Sequence, residues 1–226
     1  MKKILLTLIA LVLTSGAFAQ LIANKTDNKV TMNLDFFNDF QLGTHEQWDA
    51  RYINEGFSCA LTYNFPLGES KRHTISIGLG YAAHNYFSYS RIADPYADSL
   101  VFIPCRVDGE TVDGFKRFKV KGNYIEVPFE LRFRFGKAWK IGVGFKVGYM
   151  LKATSKYVGN NDNGIRVYEH EGYIKNFETM AYTATLRVGY EWVSVYCAMQ
   201  VVPVFEVGHN APVIYPLTVG LTFAPF

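Results

Sequence analysis

After residue 29, nearly every segment of the chain alternates apolar and polar positions with period two, the mark of a strand whose faces meet different surroundings. In the first, Val30, Met32, Leu34 and Phe36 point one way and Thr31, Asn33 and Asp35 the other. The second sets Phe57, Cys59, Leu61, Tyr63 and Phe65 against Ser58, Ala60, Thr62 and Asn64. The third sets Ile75, Ile77, Leu79 and Tyr81 against Thr74, Ser76, Gly78 and Gly80. The fourth reads most clearly: Ile125, Val127, Phe129, Leu131, Phe133 and Phe135 share one face, and Glu126, Glu130, Arg132 and Arg134 the other. In the fifth, Ile141 to Leu151 oppose Lys140, Gly142, Gly144, Lys146, Gly148 and Lys152. Rows at Tyr182 to Tyr190, Val195 to Val201 and Tyr215 to Phe223 bring the expected count to eight.

A soluble sandwich would alternate too, but two features favour an inside-out arrangement. The fourth and fifth apolar rows run ten residues or more, matching the roughly 9–11 residues of a tilted membrane strand. Gly78, Gly80, Gly142, Gly144, Gly148, Gly189 and Gly220 all fall on the polar face, where a narrow lumen crowds side chains. Short connections at 66–72, 136–138 and 192–193 alternate with longer ones at 43–55, 88–119, 153–176 and 208–213. That is the outer-membrane pattern of short periplasmic turns and long outer loops. Aromatics gather at both strand ends: Phe65, Phe133, Phe135, Trp139, Tyr190, Trp192 and Phe223 below, and Tyr52, Phe57, Tyr81, Tyr149 and Phe205 above. An open edge in lipid would leave backbone groups unpaired, so the sheet must close. The fold expected is therefore all-β: an eight-stranded antiparallel up-and-down transmembrane β-barrel with long outer loops.

The first residues set the compartment. Lys2 and Lys3, the apolar run Ile4 to Leu13 and the small residues of Ala17-Phe18-Ala19 have the three-part form of a secretory leader. Residues 1–19 are read as a signal peptide cut before Gln20, and 20–226 as one outer-membrane β-barrel domain. The apolar run is shorter than the roughly 20 residues a spanning helix needs. Composition adds 49% hydrophobic and 16% aromatic residues, with 15 Tyr and 18 Phe. A formal net charge of +3 is too small to imply a nucleic-acid partner. Cys59, Cys105 and Cys197 are odd in number and widely spaced, so neither a disulfide framework nor a zinc site is expected, and no cofactor. Phe226 resembles the terminal aromatic read by barrel-assembly machinery, although Pro225 interrupts its row.

The leader ending Ala19-Gln20, the strand Tyr124-Ile125-Glu126-Val127-Pro128 and the following Gly142-Val143-Gly144-Phe145 resemble the PorT-like outer-membrane β-barrel proteins of Bacteroidota. The resemblance implies an outer-membrane barrel. Through the member that names the family, it also implies a connection with protein secretion across that membrane.

Two regions could carry function. The inward row holds Asp35, Asp39, Glu126, Glu130, Glu191 and Glu206 with Arg132, Arg134, Lys140, Lys146, Lys152 and Arg187. Eight strands leave room for little beyond side chains, and unpaired charges there cost heavily. The network of Asp35, Glu126, Glu130, Arg132, Arg134, Lys140, Lys146, Arg187 and Glu191 is thus expected to plug the lumen; a small-solute conduit is the alternative. The outer loops carry Tyr89, Tyr96, Phe102, Phe115, Tyr168 and Tyr173 among mixed charges. These suit a protein partner in the envelope or at the surface, or else simply extend the strands above the membrane. His84 with Ser88 or Ser90, and Glu169 or Glu171, could imitate a lipid-modifying group, but such a group is judged by geometry. A non-enzymatic barrel among outer-membrane lipids is the reading the residues favour.

Overall fold

The strands expected from the alternation form, and several run further than the apolar rows suggest. In the computed structural model, residues 29–43, 47–68, 72–135, 138–160 and 164–224 are described. The expected leader, its cleavage point and Phe226 lie outside them. The chain begins with β1 (Val30–Leu42), β2 (Glu55–Leu67) and β3 (His73–Ser88). An outer loop then carries the short β4 (Ser90–Ile92), β5 (Phe102–Pro104), β6 (Arg106–Val107) and β7 (Glu110–Thr111). There follow β8 (Arg117–Phe135), β9 (Trp139–Asn160), β10 (Arg166–Glu171), β11 (Met180–Tyr190), β12 (Val193–Gln200) and β13 (Tyr215–Phe223). Eight of these close a barrel in the order β1-β2-β3-β8-β9-β11-β12-β13, with β13 pairing back to β1 and β10 added beside β9. All the barrel pairings are antiparallel.

The registers fix the barrel's size. Paired residues lead from Val30 through Tyr63, Ile77, Phe129, Phe145, Ala184, Met199 and Leu217 back to β1 at Phe40. The path returns ten residues beyond its start (40 − 30 = 10). With eight strands, that stagger means a tilt of about 40° and a backbone radius of about 8 Å. Every residue on the path is apolar. Phe36, Leu61, Leu79, Phe129, Val143, Leu186, Val195 and Leu221, one from each barrel strand, are all exposed. Asp35, Ser58, Ser76, Glu130, Arg187 and Thr222 are buried instead. A water-soluble fold places these classes the other way round, whereas a barrel in lipid requires this one.

Above the lipid-facing belt the alternation inverts without a change of strand. On β8 the outward row passes from Ile125 to Asn123, Lys121, Lys119 and Arg117, while the inward row becomes Tyr124, Val120 and Phe118, all buried. β9 follows with a bulge opposite Asn123/Tyr124. The side facing lipid now faces water, and the inner side faces a second core. Of the two readings of the long loops, 117–123 and 153–160 thus take the form of extended strands.

That second core caps the outer mouth. Trp48 from the 43–54 connection, Ile92, Leu100, Phe102 and Cys105 from 89–116, Ile174 and Phe177 from 172–179, and Val204, Phe205 and Ile214 beyond β12 pack over Phe118, Tyr124 and Tyr157. Trp48 meets Phe102, Phe118 and Phe205 edge-on at ring separations of 5.4, 6.3 and 6.0 Å. Backbone bonds tie the connections together: Leu100 N–H to His209 O (2.9 Å), Lys175 N–H to Pro95 O (2.9 Å), and Glu206 N–H to Asn176 O (3.0 Å). Phe205, expected in the outer girdle, is buried here instead.

Candidate functional site: the barrel interior and its outer cap

Inward parity brings residues from distant strands together because opposite walls lie within reach of two side chains. The Asp35 carboxylate on β1 accepts from Ser58 (2.8 Å), from Thr222 (2.6 Å) and from Arg187 (2.9 Å), with Lys146 Nζ 3.6 Å away. Glu130 on β8 lies between two guanidiniums, paired with Arg132 and with Arg187. Arg132 also donates to Asn64 (3.2 Å), and Arg187 to Thr222 (3.0 Å). One step higher, Lys146 on β9 donates to Glu126 (3.1 Å). The Tyr196 ring lies under both Lys146 and Arg187, at 5.2 and 4.6 Å. Nearest the mouth, Asp39 accepts from Thr218 (2.6 Å) and meets His84 Nδ1 at 2.7 Å. Phe37 fills the space between these levels, 4.9 Å from the His84 ring and 6.2 Å from Tyr196.

Glycine makes the crossing possible. A Cβ at Gly142 would stand 2.9 Å from the Glu130 carboxyl carbon, and one at Gly220 would stand 2.6 Å from Phe37 Cβ. Desolvating so many charges is repaid only by dense pairing, and here Asp35, Asp39 and Glu130 each have at least two partners while Glu126 has the Lys146 ammonium. A cavity of about 30 Å³ remains at the lower end, lined by Arg134, Lys140 and Ser194 among others.

The expected interior set is thus assembled in part. Asp35, Glu126, Glu130, Arg132, Lys146 and Arg187 meet. Arg134 is exposed at the lower mouth, and Lys140 lines the small cavity; neither joins the ion-paired cluster. Glu191 is a correction: it occupies the β11–β12 turn, exposed, with φ of 50°. A turn at the strand end points its side chain to water rather than along the inward row. Lys152 is exposed on the outer wall, and Glu206 belongs to the cap, 3.8 Å from His209. Phe37 and Tyr196 are interior residues that the charge pattern did not flag, although parity alone, opposite Phe36 and Val195, places them there.

The loop aromatics divide. Phe102 is only 3% exposed, and Phe115 packs against the same core, so both build the cap instead of offering a surface. Four connections holding this much apolar area bury it against one another. Tyr89 lies under Arg51 and Arg106, at 4.8 and 4.3 Å. Tyr96 and Tyr173 stack at 6.3 Å on the crest, with the Tyr96 hydroxyl donating to Glu171 (3.0 Å); Tyr168 is exposed above Lys156. The lipid-modifying arrangement does not assemble. His84 turns inward to Asp39, Ser88 donates to Asp49 O (2.8 Å), Ser90 Oγ accepts from Asp49 N–H (3.2 Å), and Glu171 is engaged by Tyr96.

A family described as outer membrane protein beta-barrel domain matches residues 18–196. No curated protein matches the chain. Among solved structures, the outer membrane protease OmpT from Escherichia coli aligns over 87% of this chain and 93% of its own, at 9% identity and a TM-score of 0.37. A mutant porin of Rh. blastica aligns over 86% and 99%, at 9% identity and a TM-score of 0.20.

Proposed function

Because the chain belongs to the family of outer-membrane protein β-barrel domains, and so resides among outer-membrane lipids, we propose that it acts as a closed, non-enzymatic barrel. Its outer cap, rather than its lumen, meets a protein partner in the envelope or at the cell surface. The observation that carries this reading is the filled interior: ion pairs joining five strands, Phe37 and Tyr196 between them, and an aromatic cap above. What remains for recognition is the crest, where Tyr96 and Tyr173 stand exposed on a frame held by backbone bonds, with Tyr168 exposed on the wall below. Rigid exposed aromatics give contact area at low entropic cost. The likeness of residues 124–148 to PorT-like proteins supports a place in an envelope or secretion complex, taken up once residues 1–19 are removed. The reading includes no cofactor and no nucleic acid.

Gentle-detergent recovery from native membranes tests it. The wild type should bring down a partner that Tyr96→Ser/Tyr173→Ser does not, while barrel assembly and the mass of lipid A stay unchanged. A lipid A mass that shifts in the null strain and is left shifted by His84→Ala would assign an enzyme instead. Steady ohmic conductance in planar bilayers would assign a channel.

A further inference from the structure

The outer wall carries a cationic cluster that the lumen does not explain. Arg117, Lys119 and Lys121 continue the outward row of β8 above Ile125. The register sets Lys119 directly opposite Lys156, and Lys156 opposite His170 of β10. Lys152 faces Asn123 just above the belt. Like charges set opposite one another weaken a sheet. In the interior, Arg132, Lys146 and Arg187 each have a carboxylate partner. On this wall, among the described residues, no carboxylate pairs with Arg117, Lys119, Lys121, Lys152 or Lys156. Their contacts are neutral: Lys119 donates to Asn85 (2.9 Å) and Lys156 lies 4.4 Å over Tyr168, while Arg117 Nε is buried with no acceptor.

Height decides what faces the cluster. Tyr81, Ile125 and Tyr149 form one paired row, the tyrosines marking the lipid–water interface. Lys152, opposite Asn123, lies two residues above it and Lys121 four, about 5 and 10 Å in height at this tilt. The headgroup layer adds about 5–8 Å beyond the hydrocarbon on each side, and lysine stems bend toward such a layer.

We propose that this outward face of β8 and β9 binds the phosphate-bearing headgroup of an anionic lipid in the outer leaflet. The phosphate lies between Lys121 and Lys152, under Lys119 and Lys156, whose field adds to theirs, while the acyl chains run down the belt past Ile125 and Tyr149. The same field acts on Tyr168, whose phenol the Lys156 ammonium holds below its usual range. The site rests on residence in the outer membrane and is independent of any partner at the crest.

Mature protein in phosphatidylcholine vesicles carrying a minor fraction of phosphorylated lipid A, or of its dephosphorylated form, is released and weighed intact by native mass spectrometry. The wild type should retain the phosphorylated lipid, and Lys119→Gln/Lys121→Gln/Lys152→Gln should bind it ~100-fold more weakly. Lys29→Gln/Arg72→Gln/Lys175→Gln, which removes as many cations elsewhere, should bind as wild type. Should the first triple variant fail to fold, the wild type alone decides, since retention must be lost when ~1 M salt shortens the screening length to ~3 Å. Equal retention of the dephosphorylated form, an unaffected triple variant, or displacement by equimolar inorganic phosphate would each overturn the assignment.

Discussion

A methyl group added at Gly144 would lie 2.5 Å from the Phe129 carbonyl oxygen and 2.8 Å from Thr185 Oγ1. Backbone on one side and a packed side chain on the other leave nothing to move. Gly144→Val should therefore destabilise the barrel by about 1–3 kcal/mol, seen as a lower urea midpoint for unfolding from vesicles. Glu130 is the more sensitive residue, because its carboxylate separates Arg132 from Arg187. Glu130→Gln leaves the buried Arg132 without its anion and Arg187 with Asp35 alone, and the loss should be about 3–5 kcal/mol in the same titration. A loss under half a kilocalorie would mean that water already neutralises the site.

Along a strand, the cost of a substitution depends on height and face. Phe145→Arg, on the path of lipid-facing residues, should cost about 2–4 kcal/mol, while Leu151→Arg near the rim should cost about 1 kcal/mol or less; unfolding free energies in phosphatidylcholine vesicles measure both. The same dependence on height explains what the sequence concealed. Within the bilayer the two faces of β8 meet lipid and lumen, so Ile125 to Phe135 alternate legibly and the eight strands could be counted. Above Asn123 the apolar residues change to the other parity, as Phe118 and Val120 turn inward to the cap, and a row of outward apolar residues stops although the strand does not. The ion-paired set was legible as inward charges, but not Glu191, whose fate depends on a turn, nor Phe102, whose burial needs four loops at once. No local pattern encodes a core assembled from segments more than a hundred residues apart.

Taken whole, the proposed function is that of a molecule closed by its interior and again by its cap. Planar-bilayer recordings should show no steady conductance, and Trp48→Ala should leave that unchanged. This substitution removes the ring that contacts Phe102, Phe118 and Phe205, and should cost the cap about 3–5 kcal/mol. Trypsin should then cut the loops faster while the barrel survives. The seam between β1 and β13 has a consequence for how the protein forms and how long it lasts. It joins the first described strand to the last, with Asp35 opposite Thr222, and those two side chains, 187 residues apart, hydrogen-bond with each other. Arg187, which donates to both, cannot complete those contacts until that seam shuts. Interactions absent from a transition state change the rate of unfolding and not of folding. Asp35→Asn should thus shorten the lifetime of the inserted protein while leaving its rate of insertion unaltered: the charged interior works as a latch that engages only after the last strand has arrived.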